Sequence, residues 1–403
     1  MIKDDYSHYE EIQKFKKLHN EKQINFAKVF AIYKYDTSFI GIIKKIIFCL
    51  FIKIKFTKAN NNSSWVLAYS RKQKKRKDYD MQIDFLLNKF PGKFNYIEIT
   101  EEFSFLRPMK IIFSYFANDC STENLKIDAI NKFCWELLYI KAKEDYKTLE
   151  HSLGSDKFLM TFCDAMPHEN ILTQIAKKQG KKTFTLQHGQ YRILNKNNIS
   201  PDAEVYENFI SDYMLVWGQA TIDEFAKYGI DKSRLIVSGR IGYVPETNIK
   251  SNIKNIGILL NGSNGMKNNI EMINIVKDLC ETDKIKYSIK LHPDNDANAI
   301  FKLTDKNCAF IGREDNATFF SRSKLLIGNM SGIILEALSA NLSVATYVRN
   351  SPDVFKKLNY VFSDVIELRK LYYQNISKNK DIQYFLSSID QKTVINDLIR
   401  KYV

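Results

Sequence analysis

Short apolar runs alternate with amphipathic stretches along most of this chain, and the two periods mark strands and helices. From Ser64 onward, "SWVLAYS" and "FNYIEIT" read as strands on either side of a helix-length segment, about Met81 to Phe90, that closes with Pro91-Gly92. The stretch from Glu101 to Ser152 is helix-rich and aromatic. A clearer rhythm starts at "KFLMTFCD", a strand, followed by the helix "PHENILTQIAKKQG" with Pro167 near its start and Gly180 at its end. "KTFTLQHG", "YMLVWG" and "RLIVSG" continue as strands, with a helix over Thr221 to Tyr228. The pattern restarts after "GRIGYVPETNIK": strand "NIGILLNG", a helix face at Ile270, Ile273, Val276 and Leu279, strands "KYSIKLHP" and "KLLIGN", then a helix from Ser331 to about Ala340 and a last strand.

Strand, helix and strand in this succession imply parallel strands joined by crossover helices. With 403 residues the chain is too long for one core. The expected class is therefore α/β, two doubly wound Rossmann-like domains, residues 1–246 and 247–403, whose strand ends face a central cleft. The boundary falls near Val244 to Ser251.

Sixty Lys and Arg against 46 Asp and Glu give a formal charge of +14, which implies an anionic partner without choosing it. The basic runs lack the interleaved aromatics of a base-stacking surface, so nucleic acid is not the expected partner. Six scattered cysteines without zinc spacing read as buried thiols of a reducing compartment. The polar, acidic start "MIKDDYSHYE" lacks a secretory layout, so a cytoplasmic location is expected. Residues 39–56, "FIGIIKKIIFCLFIKIKF", are strongly apolar but carry Lys44, Lys45, Lys53 and Lys55, which argues against a span. Two readings stay open: a helix on an anionic membrane surface, peripheral on its inner face, or a buried helix or strand. The run "RKQKKRK" from Arg71 to Lys77 reads as a solvated segment or as a second contact with anions.

Candidate chemistry clusters at strand ends. In "TLQHGQY" a strand stops at His188, with Gly189 leaving the backbone uncrowded. A neutral imidazole there suits a general base, and Asp164, at another strand end, competes as base or as the group that orients His188. In "IKLHPDND", Pro293 fixes the turn and aims His292 outward beside Lys290, to donate to a phosphate or to cap its own loop. "GNMSGIILEAL" opens an apolar helix at Ser331 and Gly332, whose free N–H groups offer an anion about 0.3–1 kcal/mol, although Ser331 also serves as an ordinary N-cap. Glu336 is the only charge between Lys324 and Arg349, a ribose ligand or an exposed helical residue. The loop "NGSNG" brings Ser263 near a phosphate or the reacting sugar, and Arg240 in "SGRIGY" points at negative charge or forms a salt bridge.

"TLQHGQY", "LVWG", "VSGRIG", "IKLHP" and "GNMSGIILEA", in that order, resemble bacterial glycosyltransferases of the GT-B fold that build surface polysaccharides. The likeness spans about Lys157 to Val348 and is nearest to capsule-synthesis Kdo transferases and CDP-glycerol glycerophosphotransferases. It implies His188 as base, His292 and Ser331 on the donor's phosphates and Glu336 as ribose ligand. The substrates implied are a CMP-, CDP- or UDP-linked sugar and a lipid-linked or polymeric glycan acceptor of capsule, lipopolysaccharide or teichoic-acid type. Transfer is expected to be inverting and without metal or other cofactor, since Arg240, His292 and the Ser331 helix start would neutralise the leaving phosphate. Gln187 and "GNMSG" depart from the glycerophosphotransferase pattern, which favours a sugar donor. The rivals are glycerophosphotransferase, sugar-nucleotide 2-epimerase and, remotely, a nucleic-acid binder.

Overall fold

The computed structural model describes residues 5–20, 23–59, 63–70, 77–117, 120, 122–191, 203–243, 254–262, 265–329, 332–349, 357–358, 360–374, 376 and 382–402. The chain divides into two compact units, the first Met1–Val216, Phe225–Gly242 and Ile389–Val403, the second Trp217–Glu224 and Tyr243–Ser388.

The first unit is built on β1 (Ile52–Ala59), β2 (Trp65–Ser70), β3 (Asn95–Phe103), β4 (Phe158–Thr161), β5 (Lys182–Leu186), β6 (Tyr213–Val216) and β7 (Leu235–Val237), in the order β1-β3-β2-β4-β5-β6-β7. β1 is antiparallel to β3 and the remaining neighbours are parallel. From β2 the chain steps to β3 on one side and then to β4 on the other. Loops leaving β2 and β4 therefore diverge, and such a switch point leaves a crevice at the carboxyl ends.

The second unit carries β8 (Ile256–Leu259), β9 (Tyr287–Lys290), β10 (Cys308–Gly312), β11 (Leu325–Gly328), β12 (Val344–Tyr347) and β13 (Val361–Phe362). Their order is β10-β9-β8-β11-β12-β13, parallel throughout, with its switch point between β8 and β11. Ile256, Ile258, Leu325 and Ile327 enter one core, while Leu259 and Leu326 enter another. Both faces are thus covered, which is why these strands read as unbroken apolar runs.

Three features depart from the sequence expectation. Residues 389–403 count with the first unit, not with 247–403, because Tyr402 packs against Phe158, Phe184 and Tyr213 at ring distances of 5.9, 5.4 and 6.2 Å. Gln391 also bonds the Gly242 N–H and the Arg240 carbonyl, at 2.8 and 2.9 Å. Gly242 has φ +74°, and a Cβ there would lie 2.6 Å from the Met81 carbonyl, so this turn requires glycine. Second, residues 39–56 split into a helix, Phe39–Phe51, and most of β1; the helix buries Ile42, Lys45 and Cys49 and exposes its other side. Third, β10 is a half-exposed edge strand that the apolar pattern did not mark. Residues 71–76 of the basic run lie outside the described residues.

The helices of the first unit meet at a buried carboxylate. On Ala129–Leu149, Asp145 receives Lys141 at 2.7 Å, Arg107 at 3.3 Å from the Arg107–Phe116 helix, and His168 at 3.6 Å from the Pro167–Lys178 helix. Lys141 further lies 4.7 Å from the Phe48 ring centroid, and Arg107 Nε donates to the Cys49 carbonyl at 3.3 Å. Burial alone would raise the Asp145 pKa, but Lys141, His168 and Arg107 hold it at about 2, below the ordinary 3.8.

Asp145→Asn leaves Lys141 and Arg107 without their counter-charge and is expected to lower stability by about 3–5 kcal/mol in urea unfolding. Because the folded pKa is depressed, the native carboxylate contributes its full stability above 3.8 and loses it as pH falls through about 2. Wild type and variant should therefore converge in stability on that acid limb.

Candidate functional site

At the β2/β4 switch point, Ser70 ends β2 and Phe162 follows β4. With Tyr33, Tyr79, Met166, Pro167, His168 and Glu169 they line a pocket. The Pro167–Lys178 helix starts here because proline fits its first turn, and Glu169 lies where the helix dipole favours a carboxylate. Ser70 donates to Glu169 at 3.0 Å and its backbone N–H reaches the same carboxylate at 2.8 Å. The Ser70 hydroxyl also lies 3.3 Å from His168 Nδ1. This chain of Ser70, His168 and Asp145 is no nucleophilic triad, since the serine proton is committed to Glu169. It holds a polar wall opposite aromatic rings.

His188 follows β5 and borders this pocket: its ring centroid is 5.8 Å from Tyr79 and 6.0 Å from Phe162. Its immediate partner is Tyr191, whose hydroxyl accepts the His188 backbone N–H at 3.1 Å and lies 2.9 Å from Nδ1. Tyr191 is buried, which raises its pKa far above 10 and keeps the phenol protonated. With the phenol as donor to Nδ1, the neutral ring carries its proton on Nε2. For His188 to act as a base, the Tyr191 hydroxyl must first turn off Nδ1. Gly189 is not among the positive-φ glycines and a Cβ there would meet nothing, so no strain explains it.

Asp164 is 1% exposed. Its carboxylate accepts the backbone N–H groups of Ile210 and Ser211 at 3.0 and 2.7 Å, pinning the segment before β6. Burial raises its pKa to about 6, against the lowering effect of those bonds and of Arg234. Arg240 belongs to the first unit and is only 6% exposed, between Gly239 and the Gly242 turn.

In the second unit, loops after β8, β9 and β11 are joined by side-chain amides. Asn261 and Asn268 donate to Asn329 Oδ1 at 3.3 and 3.1 Å. Asn269 and Asn295 donate to the Asn261 carbonyl at 2.9 and 3.0 Å, and Asn329 donates to the Tyr347 carbonyl at 2.6 Å. His292 stands against this lattice, its Cε1 and Nδ1 each 3.3 Å from where a Cβ of Gly262 would lie. His292 Nδ1 faces Asp294, 3.2 Å from its backbone N–H and 3.4 Å from its carboxylate, which leaves Nε2 as the other ring nitrogen. Lys290 Nζ instead donates to the Glu314 carbonyl, and burial lowers its pKa against the pull of Glu314, Asp315 and Glu336. Glu336, on the Gly332–Ser339 helix, is half-buried and accepts from Asn316 at 2.6 Å. Ser263 and Ser331 lie outside the described residues.

The structure thus brings His292, Gly262 and Asn329 together at one switch point, and His188 to the rim of a pocket at the other. Ser70, His168, Glu169, Tyr191 and the asparagine lattice were missed by sequence reasoning. "PHEN", two ionisable residues in the first turn of an apolar helix, and the recurrent asparagines of "NGSNG", "KNN" and "GN" were the available signals.

No protein-family model matches the sequence, and no curated protein does. Solved structures share its fold. UDP-GlcNAc 2-epimerase from Methanocaldococcus jannaschii superposes with TM-score 0.52 at 11% identity, covering 84% of this chain and 99% of that one. The enzyme of that name from Neisseria meningitidis, bound to UDP-GlcNAc, gives 0.52 at 13% identity over 83% and 99%. S. aureus MnaA with UDP gives 0.53 at 11% over 84% and 96%. The chain has a GT-B fold.

Two measurements check this site. Nitrogen-15 NMR of neutral His188 should show the Nε2–H tautomer, lost in Tyr191→Phe. The Asp164 carboxyl should titrate near pH 6. Since its folded pKa is raised, it contributes stability fully below 3.8 that is lost as pH rises through about 6, and Asp164→Asn should erase that dependence.

Proposed function

We propose that the chain is an inverting, metal-independent glycosyltransferase that moves a sugar from a CMP-, CDP- or UDP-linked donor to a hydroxyl of a capsule, lipopolysaccharide or teichoic-acid type surface glycan. The observation that carries this reading is the pocket at the β2/β4 switch point, with His188 at its rim. Aromatic faces beside hydroxyl and carboxylate groups suit contact with a sugar. In this reading the acceptor oxygen attacks the anomeric carbon and the bond to the nucleotide's phosphate breaks, its electron pair leaving on the phosphate oxygen. The acceptor proton passes to His188 after the Tyr191 hydroxyl turns away, and the His292 Nε2–H and the N–H groups opening the Gly332–Ser339 helix receive the phosphate charge.

A thermal-shift panel of CMP, CDP, UDP and GDP tests the proposal. A nucleotide at 100 times its dissociation constant adds about 2.7 kcal/mol of stability. We expect the largest shift with UDP, its loss in His292→Ala, and its retention in His188→Ala with transfer slowed about 10²–10⁴-fold. Unchanged transfer in His188→Ala sinks the base assignment.

The likeness to 2-epimerases favours a second reading, a sugar-nucleotide 2-epimerase. Turnover of UDP-GlcNAc with no acceptor present would establish it in place of transfer.

A further inference from the structure

Two helices of the first unit wear their apolar stripes outward. On Arg107–Phe116 the residues Met109, Ile112, Phe113 and Phe116, spaced as one helical face, are 45–82% exposed, while Ile111 is buried on the other side. On Phe39–Phe51 the exposed residues are Phe39, Ile40, Ile43 and Ile47. These helices pack on each other and on Ala129–Leu149, and that helix adds exposed Ile130 and Phe133. The link between β3 and the Arg107–Phe116 helix continues the surface: Phe103 stacks on Phe51 at 5.3 Å, and Phe105 and Leu106 are 82% and 86% exposed. Isolated exposed apolar residues are ordinary, but two complete stripes and a joining loop form a patch that water penalises.

Charge identifies what covers it. Residues 37–59 and 103–117 contain no acidic residue, and of their cations Lys44, Lys55 and Lys110 are exposed, while Lys45 is buried and Arg107 is turned to Asp145. Two of the neighbouring carboxylates each face two lysines: Glu102 has Lys53 and Lys55 at 3.7 and 2.8 Å, and Glu144 has Lys110 and Lys147, while Glu136 accepts from the Tyr115 hydroxyl at 3.0 Å and Asp36 from Ser38. Lys44 is exposed beside Ile43. A second copy of this chain would set these cations against each other. A bilayer rich in anionic lipid meets both the apolar stripe and its basic edge. Among the described residues no helix is long and apolar enough to cross a membrane, so contact is in the interfacial plane.

We propose that this face, formed by the Phe39–Phe51 and Arg107–Phe116 helices and the 103–106 link, docks the protein on an anionic lipid bilayer. The inference rests on exposure and charge and is independent of the transferase reading.

Co-sedimentation of the full chain with vesicles of equimolar phosphatidylcholine and phosphatidylglycerol tests it. Binding should exceed that to phosphatidylcholine alone and fall at about 1 M salt, where screening acts within ~3 Å. The double substitution Phe113→Ser with Phe116→Ser should weaken it by at least about tenfold, and Lys44→Glu about threefold, with thermal midpoint and nucleotide shifts unchanged because these side chains are exposed. Absence of wild-type binding to anionic vesicles, or equal binding by the double variant, overturns the proposal. A wild-type dimer in light scattering that the double substitution dissociates, without vesicle binding, assigns the face to a second copy.

Discussion

The first unit is organised around one carboxylate that water cannot reach. Asp145 carries its charge into the interior only because Lys141, Arg107 and His168 converge on it. Each partner comes from, or leads to, a different function. Arg107 opens the outward-facing helix and is tied to the Cys49 carbonyl of the other, while His168 forms a wall of the pocket. Desolvation makes such an arrangement expensive to break, so the helices that meet there hold fixed positions.

The two units prepare their switch points by different means. In the first, ionised and aromatic groups are locked by burial, with Glu169 fixed by Ser70 and the His188 ring fixed by Tyr191. In the second, neutral amides hold the loops, with the Arg313 guanidinium donating to the Asn295 carbonyl at 2.5 Å. Amides orient backbone donors without neutralising an arriving anion's counter-charge, a suitable surrounding for a phosphate-binding imidazole. Lys290, by contrast, is drawn toward Glu314, Asp315 and Glu336, so the nearest lysine contributes less free positive charge than its position in the sequence implies.

The histidines illustrate how a second group decides a role. His292 and His188 both stand at strand ends, yet Nδ1 of one faces the Asp294 N–H and carboxylate and Nδ1 of the other a buried phenol. For His188, proton abstraction through Nδ1 waits on rotation of the Tyr191 hydroxyl.

Most strands and helices from Ser64 to Tyr347, β10 excepted, were legible because they satisfy a local period, and the strand-end positions of His188 and His292 and the helix start at Gly332 followed from them. What local patterns could not carry was the partner of each group. That Asp164 serves two backbone N–H groups, that Tyr191 governs His188, and that the C-terminal helix returns to the first unit depend on contacts between residues distant in sequence or turned toward one another by a loop. The helix 39–51 shows the same limit: its apolar count was plain from the residues alone, but which side faces water was decided by the packing of the Arg107–Phe116 and Ala129–Leu149 helices against it. Periodicity encodes which faces are apolar, and only the closed tertiary structure determines which of them find protein to cover them.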